Sequence, residues 1–155
     1  SVHAYVLGEH GDSEVLLWSG AQVGGLPLLD FARQSGRPID TALQRTMAEN
    51  VRTAAYRIKA GKGVSNFGIG GCIARLVRAM VGDERSVFTV STYLPELLGV
   101  QRTCVSLPHV IGRTGASAPY LPPLAADEAT ALRASAEVLA QTIAGGLQAL
   151  GAHGS

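Results

Sequence analysis

Apolar residues recur every three or four positions over three long stretches of the chain, which is the spacing of one face of an α-helix. These stretches cover residues 39–59, 67–81 and 127–150. Asp40 or Thr41 supplies a side chain suited to the start of the first helix. The opposite face of that helix carries charged residues, including Arg52, and is expected to be solvated. The pattern therefore predicts three long amphipathic helices.

Short apolar or β-branched segments, separated by glycine and proline, predict strands elsewhere in the chain. They are residues 2–7, 14–18, 21–23, 86–93 and 103–107, with a short helix predicted over residues 28–34. From Pro108 to Pro123 the chain is rich in turn residues and is predicted to be irregular. Strands that come first and then mix with helices, with no β-α-β repeat, predict an α+β domain of antiparallel strands and long helices.

Length and composition bound the domain organisation. With 155 residues, of which 46% are hydrophobic and 16% charged, the chain fits one globular domain. We expect this domain over residues 1–150, followed by a disordered tail at residues 151–155. A mean hydropathy of +0.20 indicates that another domain or subunit covers part of the surface. The chain starts directly in an apolar strand without a methionine, which is typical of a fragment.

Charge and hydropathy exclude several classes of partner. The net charge is +1, and basic residues do not cluster with aromatic ones, so nucleic acid and anionic membranes are not expected partners. No uncharged run approaches the roughly 18 residues of a membrane span, and the N-terminus lacks a signal-peptide pattern, so we expect a soluble cytoplasmic protein. Cys72 and Cys104 lie in apolar patterns and are interpreted as buried free thiols, with a disulfide as the alternative.

Candidate chemistry is concentrated in the segment 8–13, GEHGDS, where His10 lies between Glu9 and Asp12. Two glycines allow a tight turn, and the preceding strand delivers that turn to a fixed place. Histidine ionises near neutral pH, and an adjacent carboxylate can fix its tautomer and raise its basicity. Taken alone, the segment is equally consistent with a general acid/base and with a structural histidine at a turn.

Other chemistries fit the sequence less well. A metal site would need His3 and His10 to face one point, which a strand followed by a turn does not favour, so no metal is expected. Ser13 lies near His10 but lacks the glycine-flanked elbow of a serine hydrolase. Residues 68–71 are glycine-rich, but Ile73 stands where a dinucleotide fingerprint needs its third glycine, and no predicted strand precedes them.

Residues 2–13 resemble the active-site segment of L-lactate dehydrogenases and their close malate dehydrogenase relatives. The resemblance continues through Trp18 and Ser19, residues 62–70, 106–108 and 111–113, and the C-terminal amphipathic helix. It covers nearly all of the chain but half of the family's length. It implies the C-terminal catalytic and substrate-binding domain of a bacterial enzyme of this type, without the nucleotide-binding Rossmann domain.

The resemblance implies roles in catalysis for three residues. His10 matches the histidine that protonates the keto oxygen of pyruvate while the nicotinamide of NAD delivers hydride. Ser65 stands where the family usually has a threonine that contacts the substrate, although its hydroxyl equally suits a cap on the following helix. Ile69 matches an apolar residue that packs against the nicotinamide ring. The family's orienting aspartate and its two substrate-binding arginines would precede Ser1.

The resemblance also implies regulation and assembly. His3 matches a histidine that helps to bind fructose 1,6-bisphosphate at a subunit interface in allosteric bacterial L-lactate dehydrogenases. The alternative for His3 is an interface or strand-edge histidine without an effector. The family further implies a homotetramer.

The resemblance predicts an NAD-dependent enzyme that interconverts pyruvate and L-lactate, of which this chain is the acid/base half and should be inactive alone. Two alternatives stay open. One is a malate dehydrogenase of the lactate dehydrogenase type, against which the Ile69-Gly70 pair weighs. The other is a non-catalytic module for assembly or effector binding, which the apolar surplus and long helices would suit.

Overall fold

The computed structural model describes residues 1–64 and 66–152, and within these ranges the chain forms eight strands and five helices. The strands are β1 (Val2–His3), β2 (Val6–Leu7), β3 (Val15–Leu16), β4 (Gln22–Val23), β5 (Leu26–Pro27), β6 (Ser86–Leu97), β7 (Val100–Gly112) and β8 (Gly115–Ala116). The helices are α1 (Leu28–Gln34), α2 (Thr41–Arg52), α3 (Ala54–Lys62), α4 (Asn66–Val81) and α5 (Ala126–Ala152).

The strands form three small antiparallel sheets, which confirms the α+β prediction. β1, β4 and β5 form the first sheet, β2 and β3 the second, and β6, β7 and β8 the third. The segment 2–7, predicted as one strand, is divided between the first two sheets. The division lies at Ala4 and Tyr5, where the Tyr5 carbonyl accepts a 3.0 Å hydrogen bond from the backbone N–H of Leu17.

The helix predicted over residues 39–59 is interrupted at Thr53, which separates α2 from α3. The Thr53 hydroxyl donates a 2.7 Å hydrogen bond to the carbonyl oxygen of Glu49, and such side-chain bonds bend helices. Asp40 caps α2 as predicted, because its carboxylate accepts a 2.7 Å hydrogen bond from the backbone N–H of Leu43. The prediction of a short helix over residues 28–34 is also confirmed by α1.

β6 and β7 form one long hairpin that extends beyond the predicted strands at both ends. Pro95 lies inside β6 instead of ending it, and the turn falls at Leu98 and Gly99. Proline lacks the backbone N–H that a hydrogen bond between neighbouring strands needs. On the facing strand β7, Arg102 adopts a left-handed φ of 52°. The segment after Pro108 is not irregular, because β7 continues to Gly112 in register with the start of β6.

The core forms where α5 packs on β7 and on the first strands. Leu7, Leu107 and Leu132 come from three different elements and are at most 1% exposed. The Thr103 hydroxyl on β7 donates a buried 2.9 Å hydrogen bond to the carbonyl oxygen of Ala136 on α5. The rest of the core cluster consists of Val15, Leu17, Leu94, Leu97, Val100, Val105 and Ala136. This core fixes the relative positions of the elements that carry the candidate site.

The start of α5 is fixed by the buried carboxylate of Glu128. That carboxylate accepts 2.9 Å hydrogen bonds from the backbone N–H groups of Ala125 and Ser19, and a further bond from the Ser19 hydroxyl. At its other end α5 includes residues 151 and 152, which were predicted to belong to a disordered tail. The rest of that predicted tail lies outside the described residues.

Large apolar side chains are exposed along α4, in agreement with the high mean hydropathy. They are Phe67, Ile69, Ile73, Val77, Met80 and Val81. Cys72 is exposed on the same helix, so the prediction that it is buried is wrong, because α4 leaves most of its residues in contact with solvent. Cys104 is half-buried, and both cysteines are free thiols. No helix within the described ranges is long and apolar enough to cross a membrane.

Candidate active site

The turn that carries His10 is anchored to the long hairpin through Gly8. The Gly8 N–H donates a 3.0 Å hydrogen bond to the carbonyl oxygen of Ser106 on β7, and the Ser106 N–H returns a 2.8 Å bond. Gly8 has a left-handed φ of +87°, and a Cβ there would lie 2.5 Å from the hydroxyl oxygen of Ser135. Both the backbone angle and the close approach therefore require glycine at this position.

The same turn is anchored to α5 through Ser135, which is fully buried. Its hydroxyl oxygen accepts a 2.8 Å hydrogen bond from the backbone N–H of Glu9 and lies 3.1 Å from the hydroxyl oxygen of Ser13. The Glu9 carboxylate in turn accepts hydrogen bonds from both the N–H (3.2 Å) and the hydroxyl of Ser13. Glu9 thus links the beginning of the turn to its end at Ser13.

The second carboxylate beside His10 faces helix α3. The phenol of Tyr56 donates a 3.2 Å hydrogen bond to the Asp12 carboxylate. The negative charge of Asp12 and this hydrogen bond raise the pKa of the Tyr56 phenol. Within the described residues, neither Glu9 nor Asp12 forms a hydrogen bond with the His10 ring.

A third carboxylate, Glu14, follows the turn and interacts electrostatically with Arg52 at the end of α2. Burial raises the pKa of the Glu14 carboxyl, and the charges of Arg52 and His10 oppose that rise without cancelling it. The Oε1 atom of Glu14 and the Nε atom of Arg52 are both buried without a hydrogen-bond partner in the described part of the chain. The expectation that Arg52 belongs to a solvated face is therefore wrong for its Nε atom.

His10 itself is exposed and borders a cleft of about 370 Å³ between the turn and the hairpin. The other residues that line this cleft are Val6, Glu9, Thr89, Val90, Ser91 and Ser106. The hydroxyl oxygens of Ser91 and Ser106 lie 2.8 Å apart on neighbouring strands. A histidine beside hydroxyl groups in an open cleft can exchange a proton with a small polar molecule bound there.

The structure does not bring Ile69 or His3 into this cleft. Ile69 is 57% exposed on α4, and His3 is exposed on β1, where it pairs with Gln22. Ser65 lies outside the described residues. Within the ranges that the structure describes, no group of three or more histidine, cysteine or acidic residues is arranged to hold a metal ion.

Residues 1–150 match the alpha/beta C-terminal domain of lactate/malate dehydrogenases. The chain belongs to this family. L-lactate dehydrogenases of Thermus aquaticus and Allorhizobium ampelinum are 52% and 48% identical to it, each over 90% of this chain and 45% of the relative. The structure of the minor L-lactate dehydrogenase of Enterococcus mundtii, solved with bound ligands, superposes with a TM-score of 0.82 at 31% identity, over 92% of this chain and 46% of that one. The chain thus spans about half the length of these relatives.

Within this lactate/malate dehydrogenase domain, the sequence did not single out Ser135 or Tyr56 as contacts of the turn. Ser135 has a recognisable signal, because it lies next to Leu132 and Ala136 on the buried stripe of α5, where a polar side chain needs a partner. Tyr56 has no comparable signal, since it lies on α3, 44 positions away from Asp12 in the sequence.

Proposed function

We propose that this chain is the substrate-binding and acid/base half of an NAD-dependent L-lactate dehydrogenase that interconverts pyruvate and L-lactate. The observation that carries the proposal is the position of His10, exposed in a cleft on a turn that is hydrogen-bonded to both β7 and α5. The names of the most similar relatives support the choice of L-lactate.

In the proposed reaction, His10 donates a proton to the keto oxygen of pyruvate and takes it back from the hydroxyl of L-lactate. The charge of the protonated ring also stabilises the negative charge that develops on that oxygen. The anchors at Gly8 and Glu9 hold the backbone next to His10 against β7 and α5. Ser65 is proposed to place its hydroxyl against the substrate.

The residues of α4 suit contact with the nicotinamide end of NAD. Ile69 presents an exposed hydrocarbon side chain on α4, which suits contact with the flat nicotinamide ring. The glycines at 68, 70 and 71 lie inside α4 and form no phosphate-binding turn, so the phosphates are assigned to the half of the enzyme outside this chain. When bound, NADH supplies the hydride that reduces the keto carbon.

Assembly and regulation are proposed on the same basis. A cytoplasmic homotetramer would cover exposed apolar residues such as those of α4. His3 lies exposed at the edge of its sheet, where a protonated imidazole can pair with a phosphate of fructose 1,6-bisphosphate. Titration of fructose 1,6-bisphosphate against the full-length protein and its His3→Ala variant tests this role, and equal activation of both proteins would contradict it.

The proposal is tested by pyruvate reduction in the full-length protein, followed by the loss of NADH absorbance. His10→Asn should lower kcat by about a hundredfold or more, because general acid/base catalysis contributes at least that much. His153→Asn is the matched control and should retain the rate of the parent protein. A parent protein that reduces oxaloacetate in preference to pyruvate would establish the malate alternative, and one that reduces neither would favour the non-catalytic module.

A further inference from the structure

Helix α4 buries little apolar surface against the rest of the domain. Within the described residues of α4, only Ala79 is buried and Leu76 is half-buried. Ile69, proposed above to contact the nicotinamide ring, lies near the N-terminal end of this helix and is 57% exposed. Because most helices are held in place by the packing of an apolar face, the position of α4 on the described domain depends strongly on its polar contacts.

Arg75, in the middle of α4, makes two such contacts. Its guanidinium lies over the ring of Phe88 on β6, 4.8 Å from the ring centroid. Its Nη1 atom lies 2.7 Å from the carboxylate of Glu84, in the loop between α4 and β6. A planar guanidinium can stack on an aromatic ring and pair with a carboxylate at the same time. Arg75 therefore joins α4 to the first strand of the long hairpin.

The Glu84 carboxylate is itself held in place. The backbone N–H of Glu84 donates a 2.9 Å hydrogen bond to the carbonyl oxygen of Ala79, and its carboxylate accepts a 3.3 Å hydrogen bond from the Ser86 hydroxyl. Arg78, on the same helix, reaches the other carboxylate oxygen, but this contact is 3.4 Å long and the Arg78 side chain is 82% exposed. Solvent weakens such an exposed pair, so Arg75 forms the stronger of the two links.

The hairpin that receives Arg75 also anchors the His10 turn. Phe88 lies directly before two residues of β6 that line the His10 cleft, and β6 pairs along its length with β7, to which Gly8 is hydrogen-bonded. In the proposed reaction, the proton reaches the substrate from His10 and the hydride reaches it from the nicotinamide. The turn and α4 must therefore keep fixed positions on one framework, which is the hairpin.

We propose that Arg75 is a positioning residue, which fixes α4 on the hairpin and thereby places Ile69 against the nicotinamide ring; this role rests on the cofactor contact proposed above. Ile69 precedes Arg75 by six residues, which is about 9 Å along the helix axis. A small rotation of α4 about the Arg75 contact is enough to move Ile69 away from the ring. Arg75 acts through the helix and does not touch the cofactor.

The test is the dissociation constant of NADH, measured from the change in NADH fluorescence on binding to the full-length protein in the absence of pyruvate. Arg75→Gln removes both contacts and should raise this constant about threefold or more, because an exposed cation–π contact alone corresponds to a factor of about two to five. Arg78→Gln is the matched control. It removes the same charge from the same helix and should bind NADH about as tightly as the parent protein.

A double-variant comparison distinguishes positioning from a general loss of stability. In the Ile69→Ala background, Arg75→Gln should change the dissociation constant by less than about twofold, because the contact through which it acts is already gone. If the two effects multiply instead, Arg75 does not act through Ile69 and the positioning role is refuted.

Two further variants change the Arg75 contacts one at a time. Phe88→Leu keeps an apolar side chain but removes the aromatic face, and it should raise the dissociation constant as Arg75→Gln does. Arg75→Lys keeps the charge but not the planar group, and it should recover part of the loss. Should Arg75→Gln fail to fold, Phe88→Leu with and without Ile69→Ala decides the question.

The outcomes also separate this role from the proposed function. A full-length protein that reduces pyruvate, and loses this activity in His10→Asn, establishes the role of His10 regardless of Arg75. If Arg75→Gln then binds NADH as the parent does, or no more weakly than Arg78→Gln, the positioning role is refuted. Unchanged binding in Ile69→Ala would refute both the cofactor contact and the positioning role. A full-length protein that neither binds NADH nor reduces pyruvate would overturn the proposed function as well.

Discussion

The hydroxyl oxygen of Ser135 accepts a 2.8 Å hydrogen bond from the backbone N–H of Glu9, a residue 126 positions earlier in the chain. This bond ties the residue before His10 to the middle of the C-terminal helix. Because Ser135 is fully buried, water has no access to replace the acceptor if it is removed. The bond therefore links the stability of the domain to the position of His10.

Replacing Ser135 with alanine should destabilise the protein by about 1–3 kcal/mol, because the partly buried N–H of Glu9 loses its acceptor. We also expect a lower kcat for pyruvate reduction, since the turn is less firmly held. Thr142→Ala is the matched control, because its hydroxyl bonds to the Val138 carbonyl on an exposed part of α5. Urea unfolding and steady-state rates measure both effects. Equal stability losses in the two variants would contradict the assigned role.

Gly8→Ala should lower the free energy of unfolding by more than a typical glycine substitution does. The alanine would have to adopt a φ of +87° and place its Cβ 2.5 Å from the Ser135 hydroxyl oxygen. We expect a loss of about 3 kcal/mol or more, the sum of left-handed backbone strain and overpacking. At Gly99, φ is +83° and nothing lies within 4 Å of the added Cβ, so Gly99→Ala should show the strain alone. Thermal unfolding of both variants tests the difference.

Asp12→Asn should lower the pKa of Tyr56, because the charge and hydrogen bond of Asp12 raise that pKa in the parent protein. The measurement is an NMR titration of the tyrosine ring signals at alkaline pH. The ring signals of Tyr93, which is as exposed as Tyr56 at 59%, serve as the control. A Tyr56 curve that does not move would show that the contact with Asp12 is absent in solution.

The Glu128 carboxylate should make the free energy of unfolding depend on pH in the acidic range. Burial raises its pKa, but hydrogen bonds from Ser19, Ala125 and Trp18 outweigh burial and lower the pKa below its ordinary value of 4.5. The folded protein therefore holds the ionised form more strongly than the unfolded chain does. This stabilisation is complete above the unfolded pKa and is lost as the pH falls through the folded pKa.

Glu128→Gln provides the test of that dependence. In the parent protein, the free energy of unfolding should fall as the pH drops from about 5 to about 3. The variant should be less stable at neutral pH and should lose less on acidification. Glu137→Gln, which replaces an exposed carboxylate on the same helix, should retain the dependence of the parent protein. Parallel curves for the parent and Glu128→Gln proteins would argue against the assigned hydrogen bonds.

Local signals predicted much of the fold, because the helices depend on residues close together in sequence. The bounds of α1 and the cap at Asp40 follow from such signals. The break at Thr53 was missed, since the apolar residues keep their helical spacing on both sides of it. The hydrogen bond from the Thr53 hydroxyl outweighs that pattern. The continuation of β7 past Pro108 was missed for the complementary reason. Its register is set by the partner strand and not by its own turn-rich sequence.

The sequence likewise predicted only part of the candidate site. His10 could be found because glycines and acidic residues surround it within a few positions. The partners that contact its turn, Ser135 and Tyr56, come from helices whose docking no local pattern describes. Arg52 follows the spacing of a solvated face, yet its Nε atom is buried, which that spacing does not predict.

The two anchors of the His10 turn also have a consequence for biosynthesis. Within this domain, Gly8 and Glu9 are synthesised before their partners, which are residue 106 on β7 and residue 135 on α5. A nascent chain that ends before α5 contains every residue of the turn but cannot hold it in place. The geometry of the His10 turn is thus among the last features of the domain to form as the chain is made, so that chains ending before α5 are expected to leave the turn unanchored.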